Sequence, residues 1–420
     1  MDDHTDVVSN SHSALALNTQ SQTDEYDLSS MNFISNPFET YRTLLQQAPI
    51  YQSPTSGHYY ISKPDYIEHI LKNNQAFSSD RVNTFTAALP PEQIAFIQPL
   101  INGLSKWLLF QDPPKHMPLR RIINASLKHK LLMAIEPEIK QLTQQLIQTM
   151  KQEQQNDIIQ GLAYPLPALV IARLLGVPAS DIHLIKKWSD DIAQFMGSTL
   201  SASSAIKAQE SIIDMADYLT NILNNQTVCE STTVLGNIIQ YQQDSSDFTL
   251  NDVIANCIML LFAGHETTTN LISNLWQQLQ SHPSQLQQLI DNPALIKPAI
   301  EESLRYDGAV HRLGRLIAKD TLIGNTLLKK GHRVFLMLGA AHRCPERYSS
   351  PDTFDIHRKP KQLGFGFGPH ICPGAALGRL EAEIAIAALI EHFPQGSIIE
   401  PPQYINNLGL RAMKSLKIKL

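Results

Sequence analysis

The chain has 420 residues, a hydrophobic fraction of 43% and a formal net charge of −5, a composition that allows a sizeable globular core. The acidic balance argues against nucleic acid or an anionic membrane surface as the main partner. No apolar run approaches the ~20 residues that span a bilayer, and no secretory signal pattern opens the chain. We therefore expect a cytoplasmic protein.

The four cysteines are scattered, with no C-x-x-C pair, and they are Cys229, Cys257, Cys344 and Cys372. This spacing argues against a zinc knuckle or a zinc ribbon. It is typical of reduced thiols in a protein that is not exported.

The first thirty residues are polar and contain few large apolar side chains, so we expect residues 1–30 to form a disordered tail. No internal linker is visible, and residues 31–420 are expected to form a single domain. The pattern predicts a short strand at 59–62, a helix at 65–73, an irregular segment at 78–104 and mostly helix from 113 to about 210.

The clearest predicted element is a 32-residue helix from Leu250 to Ser281, which Thr249 and Asp252 begin with a capping-box pattern. Later segments predict strands within 315–338, a helix over 375–393 and a hairpin over 405–420. The sequence thus predicts a mainly α fold with a minor β portion.

A glycine-rich loop at 364–374 precedes the last long helix. It is not a dinucleotide-binding fingerprint, because Pro369 and Ile371 occupy the positions of the third glycine in its two possible registers. Cys372 lies close to the start of the helix, where the helix dipole and free amides, including that of Gly374, favour a thiolate. A lone intracellular cysteine is more usually a buried free thiol, and that interpretation stays open on this evidence alone.

The loop matches the pattern F-x-x-G-x-x-x-C-x-G at Phe365, Gly368, Cys372 and Gly374. In this motif the chain resembles the cytochrome P-450 family of haem-thiolate monooxygenases, and the resemblance covers residues 33–420. It implies a cytochrome P-450 fold, with the long central helix over haem b and the cysteine loop beneath it. It further implies that Cys372 ligates the iron and that Phe365 and Gly374 belong to the cofactor site.

A second motif, Ala-Gly-His-Glu-Thr-Thr at 263–268, lies in the middle of the long helix. A threonine hydroxyl there is able to bond the carbonyl four residues earlier and open the helix locally. By itself the motif is also consistent with close helix packing. The family resemblance implies that Ala263 and Gly264 face the cofactor, that Thr267 holds the bound oxygen, and that Glu266 relays protons.

A third motif is Glu302-x-x-Arg305, whose charges face the same side of a helix. Exposed pairs of this kind are common and contribute little. The resemblance implies a buried structural triad completed by Arg358, which retains the fold and the haem.

Haem carries two propionates that need cationic or N–H partners. The resemblance assigns that role to His116, Arg120, Arg315 and His370. Taken singly, each of them is more typical of an ordinary surface cation, and only their joint occurrence in the order of the family motifs favours the haem interpretation.

The implied activity is insertion of one oxygen atom from O2 into a small organic substrate, by default as a hydroxylation and plausibly in secondary metabolism. The chain contains neither a ferredoxin-type cysteine cluster nor a flavin-binding region, so we expect a monomer that receives two electrons from a separate ferredoxin and ferredoxin reductase. A docking patch is predicted at Lys115, Arg121, Lys128, Lys130 and Arg379.

Several alternatives remain open. A peroxide-driven haem peroxygenase would share Cys372, although Glu266 and Thr267 argue against it, and a haem sensor would not need that pair. The substrate is either a free small molecule or an aminoacyl or peptidyl group on a carrier protein. The segments predicted to line the substrate pocket are 78–104, 190–215, 308–314 and 406–413. Their side chains suggest an apolar cavity, through Phe85, Phe96, Phe195, Met196 and Leu313. His311 or Arg312 is available to bind a substrate carboxylate.

Overall fold

The structure is a computed structural model that describes residues 26–86, 89–197, 201–225, 234–243, 249–394 and 396–419. Most of the predicted tail, and Cys229, lie outside these ranges. Residues 26–30 belong to the packed structure, because Leu28 is buried and the Ser30 hydroxyl accepts the Phe33 N–H at the first helix. The packed structure therefore begins before the predicted boundary at residue 30.

Helices account for most of the described chain, as predicted. Those of the first half are α1 (Met31–Ser35), α2 (Phe38–Gln47), α3 (Pro64–Lys72), α4 (Pro91–Phe96), α5 (Gln98–Ser105), α6 (His116–Ser126), α7 (His129–Gln152), α8 (Pro165–Leu174), α9 (Ile182–Gly197), α10 (Ala202–Asn225) and α11 (Val234–Gln243). Those of the second half are α12 (Leu250–Gln280), α13 (Pro283–Asp291), α14 (Ile296–Asp307), α15 (Leu338–Ala341) and α16 (Ala375–His392).

The β portion is small, and its strands are β1 (Ile50–Gln52), β2 (Tyr59–Ile61), β3 (Phe77–Ser78), β4 (Arg312–Ile317), β5 (Thr321–Ile323), β6 (Thr326–Leu328), β7 (Arg333–Met337), β8 (Gln403–Tyr404) and β9 (Met413–Ser415). One sheet has the order β1-β2-β7-β4-β3, in which only the β2–β7 pair is parallel. The pairs β5–β6 and β8–β9 form separate antiparallel hairpins. The predicted strand at 59–62 is confirmed, and a C-terminal hairpin is present, but its first strand precedes the predicted range of 405–420.

Helix α12 confirms the long predicted helix to within one residue. Its 31 residues span about 46 Å at 1.5 Å per residue. The capping box is present, since the Asp252 carboxylate accepts the Thr249 N–H at 2.9 Å and the Thr249 hydroxyl accepts the Asp252 N–H. The helix packs against α8, α10, α14 and α16, so most of its side chains are buried. Its position at the centre of the molecule follows from this all-round burial.

The fold class is therefore mainly α with a minor β portion, in agreement with the sequence. Among the helices within the described ranges, none is both long and apolar enough to cross a membrane.

Candidate functional site

The cysteine loop is closed by its own backbone. The Cys372 N–H donates to the Phe365 carbonyl at 2.8 Å. Two of its glycines, Gly366 and Gly368, have φ of +75° and +72°, a region that favours glycine. A Cβ on Gly368 would lie only 2.7 Å from the Leu71 carbonyl oxygen, so the loop packs on α3 without space for a side chain. These contacts hold Cys372 in one position ahead of α16.

The Cys372 thiol is partly accessible and lies among groups that favour its anion. Burial outweighs the other influences and raises its pKa, while the Gly374 N–H that bonds the sulfur and the guanidiniums of Arg120 and Arg379 act in the opposite direction. Arg379 also lies over the Phe365 ring, with its guanidinium carbon 4.4 Å from the ring centroid. The sulfur therefore has one N–H donor and two nearby cations, which suit a metal-bound thiolate.

The middle of α12 is open on one side. Ala263 is exposed and Gly264 is half-buried, although the residues on either side of them are mostly buried. The Thr267 hydroxyl donates to the Ala263 carbonyl at 3.1 Å, and the Thr268 hydroxyl donates to the Gly264 carbonyl at 3.1 Å. A small-residue surface in the centre of a buried helix indicates a cavity that the chain itself does not fill.

Glu266 lies next to this opening with its side chain only 19% exposed. Burial by itself raises its pKa, but contact with the His265 ring and the charge of Lys186 outweigh burial, so the pKa lies below its usual value. His265 is fully buried and its Nδ1 bonds the Leu261 carbonyl at 2.7 Å. The structure thus holds an ionised carboxylate one residue from Thr267.

The four residues predicted to hold the propionates come together between α6, β4 and the cysteine loop. The His116 and His370 rings lie 4.2 Å apart between centroids. Both ring nitrogens of His116 and the Nε of Arg315 are buried without a hydrogen-bond partner. Burial lowers the pKa of His116, Arg120 and Arg315, and the charges of Arg120 and Arg315 lower that of His116 further. Buried donors without acceptors are costly, so this group fits a ligand that brings carboxylates.

The Glu302 and Arg305 side chains are fully buried and form two hydrogen bonds, at 2.7 and 2.8 Å. Arg358 approaches the same carboxylate, with its Nε 3.2 Å from Oε1. Arg305 also donates to the carbonyls of Pro351 and Thr353. The three predicted residues are thus one buried cluster that joins α14 to the segment before Arg358.

Some residues of the predicted pocket belong to a set of packed aromatic rings, here called the aromatic wall, in which Phe85 is partly buried and the other rings are buried. Phe85 makes edge contacts with Phe110 and Phe195 at centroid distances of 5.7 and 6.0 Å. Trp107 stacks on Phe110 and contacts Phe262, which precedes Ala263 on α12. Met196 and Leu313 are partly buried apolar side chains at the core, whereas Phe96 is 61% exposed and belongs to none of these ring pairs.

The interpretation of His311 as a partner for a substrate carboxylate is wrong. Its Nε2 lies 3.0 Å from Asp307 and its Nδ1 lies 3.1 Å from the Tyr41 hydroxyl, so both nitrogens are engaged within the protein. Sequence reasoning also missed Arg81 and Arg333, which lie near Phe85. No local signal identifies them, because only the register of β4 and β7 and the path of the chain before α4 bring them together.

The opening beside Ala263, the thiol of Cys372 and the unpaired donors of His116 and Arg315 fit a haem with its two propionates. The family model for cytochrome P450 matches residues 32–294 and 287–395. A biotin biosynthesis cytochrome P450 of Bacillus subtilis is 30% identical over 93% of this chain and 97% of its own. Cytochrome P450 109 of Bacillus spizizenii is 34% identical over 84% of each chain. The structure is also similar to a crystal structure of P450BioI with a hexadec-9Z-enoic acid ligated acyl carrier protein. The TM-score is 0.86 and the sequence identity is 30%, over 93% of this chain and all of that one.

The chain belongs to the cytochrome P450 family, and it is a haem monooxygenase.

Proposed function

We propose that this protein binds haem b, with Cys372 as the iron ligand, and hydroxylates a small organic substrate with electrons from separate proteins. The observation that carries the proposal is the position of Cys372, which accepts the Gly374 N–H in a closed loop. When bound, the haem supplies activation of O2 for transfer of one oxygen atom to the substrate. His116, Arg120, Arg315 and His370 would hold its propionates.

The remaining chemistry of this chain is proton handling at α12. The Thr267 proton is committed to the Ala263 carbonyl, so the hydroxyl oxygen is left to accept a hydrogen bond in the opening. The Glu266 carboxylate lies beside the opening with a lowered pKa, so it is ionised at neutral pH and would accept a proton only transiently before passing it on. This pair favours O2 and electrons over peroxide as the source of oxidising power.

Electron delivery is proposed to come from a ferredoxin and its reductase. Lys115, Arg121, Lys128 and Lys130 are exposed, whereas Arg379 pairs with Glu301 and contributes less to a free positive surface. Charge reversal of Arg121 and Lys128 to Glu should raise the ferredoxin concentration for half-maximal turnover and flatten its salt dependence. An unchanged concentration and salt dependence would remove this surface as the docking site.

The haem ligand is tested with Cys372→Ser. The reduced carbon monoxide complex of the wild type should show the red-shifted Soret band typical of thiolate-ligated haem, and the variant should lack it together with turnover. Cys344→Ala is the matched control, because Cys344 is buried in a separate core near the N-terminus. A variant that kept the thiolate band would contradict the assignment of Cys372.

The substrate is proposed to be either a free small molecule or a group held on a carrier protein. The second possibility is supported by the structural relative that was crystallised in complex with an acyl carrier protein. An optical titration of the ferric protein with free terpenoids, lipids and carrier-bound acyl, aminoacyl and peptidyl groups distinguishes them through the low-to-high-spin change. A response to carrier-bound ligands alone would establish the carrier-dependent alternative, and turnover with peroxide but not with a surrogate ferredoxin would establish the peroxygenase alternative.

A further inference from the structure

Three arginines on different segments share two aromatic rings. The guanidinium carbons of Arg81 and Arg333 lie 5.8 and 5.5 Å from the centroid of the Phe85 ring. Those of Arg312 and Arg333 lie 4.6 and 4.7 Å from the centroid of the Phe335 ring. Phe85 and Phe335 therefore hold three positive charges in one small region, which we call the arginine cluster.

The sheet register brings this cluster together. Gly314 of β4 lies opposite Phe335 of β7, and alternation along the strands places Arg312 and Arg333 on the same face. A Cβ on Gly314 would lie 3.2 Å from Arg81 Nε, so the missing side chain at Gly314 leaves space for Arg81 to lie across the sheet.

The arginine cluster has no counter-ion within the described part of the chain. No carboxylate affects the charge of Arg81, Arg312 or Arg333, and only Tyr60 and Tyr41 favour their charged forms. Among the described residues, Arg333 Nε is buried without an acceptor and Arg81 donates only to the Ser79 carbonyl. Burial, followed by repulsion from other arginines, lowers the pKa of Arg81 and Arg333. Uncompensated cations of this kind are costly unless an anion joins them.

The cluster differs from the group proposed to hold the propionates, although the charge of Arg81 acts on His370 and that of Arg315 acts on Arg81. Alternation places Arg315 on the opposite face of β4 from Arg312, and Arg315 faces Asp112 and the two histidines. The group of His116, Arg120, Arg315 and His370 already provides partners for both propionates.

Packed aromatic rings join the cluster to α12; of these rings Phe85 is partly buried, and Phe110, Trp107 and Phe262 are buried. The aromatic wall runs from Phe85 through Phe110 and Trp107 to Phe262, beside the exposed Ala263. Arg81, Arg312 and Arg333 each retain some exposed surface. We propose that Arg81, Arg312 and Arg333 bind the acidic end of the substrate, a carboxylate or a phosphate monoester, while its apolar remainder extends past Phe85 towards the exposed Ala263 of α12. This inference rests on the proposed function and names the class of substrate.

The test uses the haem-loaded protein and ligands that bind the iron irrespective of the natural substrate. A series of ω-(imidazol-1-yl)alkanoic acids of increasing length is compared with the matching alcohols and their phosphate monoesters. The imidazole nitrogen ligates the haem iron and reports binding optically, while the far end probes the arginine cluster. At the length that reaches the cluster, the wild type should bind an anionic ligand at least about tenfold more tightly than the alcohol.

Arg312→Gln and Arg333→Gln, singly and combined, should remove that preference and leave alcohol binding unchanged. Arg173→Gln is the matched control, because Arg173 is exposed and pairs with Glu138 away from the site. Tighter binding of the acid or of the phosphate identifies which anion the cluster prefers.

Two results would overturn the inference alone, and neither requires every variant to fold. One is equal affinity of the wild type for acid, phosphate and alcohol at every length. The other is an anion preference that survives in Arg312→Gln and Arg333→Gln proteins that retain the thiolate band. A wild type without haem, or without iron ligation by the imidazole, would overturn the proposed function as well.

Discussion

Thr267 illustrates how a residue that is unfavourable for a helix is retained at a site. A threonine in the interior of α12 loses rotamer freedom and directs its hydroxyl to the Ala263 carbonyl. Its neighbour Thr268 makes the same bond to Gly264 but lies against α16, where its Oγ1 would be 3.4 Å from a Cβ on Gly378. Two adjacent threonines with the same local bond therefore face different surroundings, and only Thr267 is proposed to act on oxygen.

Thr267→Ala should keep the haem and its thiolate band but release a large part of the reducing equivalents as peroxide. The reason is the loss of the hydroxyl oxygen that accepts a hydrogen bond in the opening. The coupling is measured as the amounts of product and of peroxide formed per NAD(P)H consumed. Thr267→Ser, which keeps a hydroxyl, should restore the coupling. Thr268→Ala is the control, and equal coupling in wild type and Thr267→Ala would contradict the proton role.

At Arg315, the chain itself leaves a buried donor unsatisfied. Arg315→Gln should hold haem less firmly, with release faster by about tenfold, because a charge-assisted bond to a propionate is lost. Transfer of haem to an excess of a haem-scavenging globin measures the rate. Arg42→Gln, which breaks an exposed pair with Asp352, should release haem at the wild-type rate. A wild-type rate in Arg315→Gln would remove Arg315 from the propionate site.

At the scale of elements, the buried cluster around Glu302 acts as a joint. Helix α14 carries Glu302 and Arg305, while Arg358 and the carbonyls of Pro351 and Thr353 belong to an irregular segment. The Asp355 N–H also donates to the Glu302 carboxylate, at 2.9 Å. A segment with little regular structure thus obtains a fixed path from side-chain bonds, and that path leads into the cysteine loop.

Glu302→Gln should lower the free energy of unfolding by about 3–5 kcal/mol, because it leaves buried guanidiniums without a counter-charge. Most of the purified protein should lack haem. Urea unfolding and the ratio of haem to protein absorbance give the two measurements. Glu383→Gln, which breaks a partly exposed pair between α16 and Lys297 of α14, should cost less than about 1 kcal/mol. Similar small losses in both variants would show that the cluster is not a structural joint.

At the scale of the whole molecule, α16 is buried on nearly all sides, yet it carries an acid at its centre. Glu381 is 2% exposed, and its Oε2 has no hydrogen-bond partner within the described structure. Burial raises the pKa of Glu381 to about 8, so the folded protein carries it protonated at neutral pH.

The global stability should therefore depend on pH through Glu381. Its pKa is higher in the folded than in the unfolded state, so the folded state holds an extra proton between those values. The free energy of unfolding should fall as the pH rises from about 4.5 to about 8, by on the order of a few kcal/mol. Glu381→Gln should flatten this dependence in urea titrations, whereas Glu391→Gln on the exposed side of α16 should not. If the free energy of unfolding depended on pH in the same way in wild type and Glu381→Gln, the proposed role of Glu381 would be wrong.

Local patterns in the sequence determined the fold class and most of the proposed site. Helix α12 was predictable because its cap and its boundary residues act within one turn, and the cysteine loop because its glycines and Cys372 are adjacent in the chain. The roles of Thr267, Glu302 and His116 followed from family resemblance in those motifs. Because these residues are far apart along the chain, only the family resemblance predicted that they share one site.

Tertiary structure alone decided the surroundings of residues that look alike in the sequence. His311 and Arg312 are neighbours, but strand alternation sends the first into a buried network with Asp307 and Tyr41 and the second onto the Phe335 ring. Likewise, Arg81 reaches Arg333 only because Gly314 is opposite Phe335. Such pairings depend on strand register and on contacts across hundreds of residues, which no local pattern encodes.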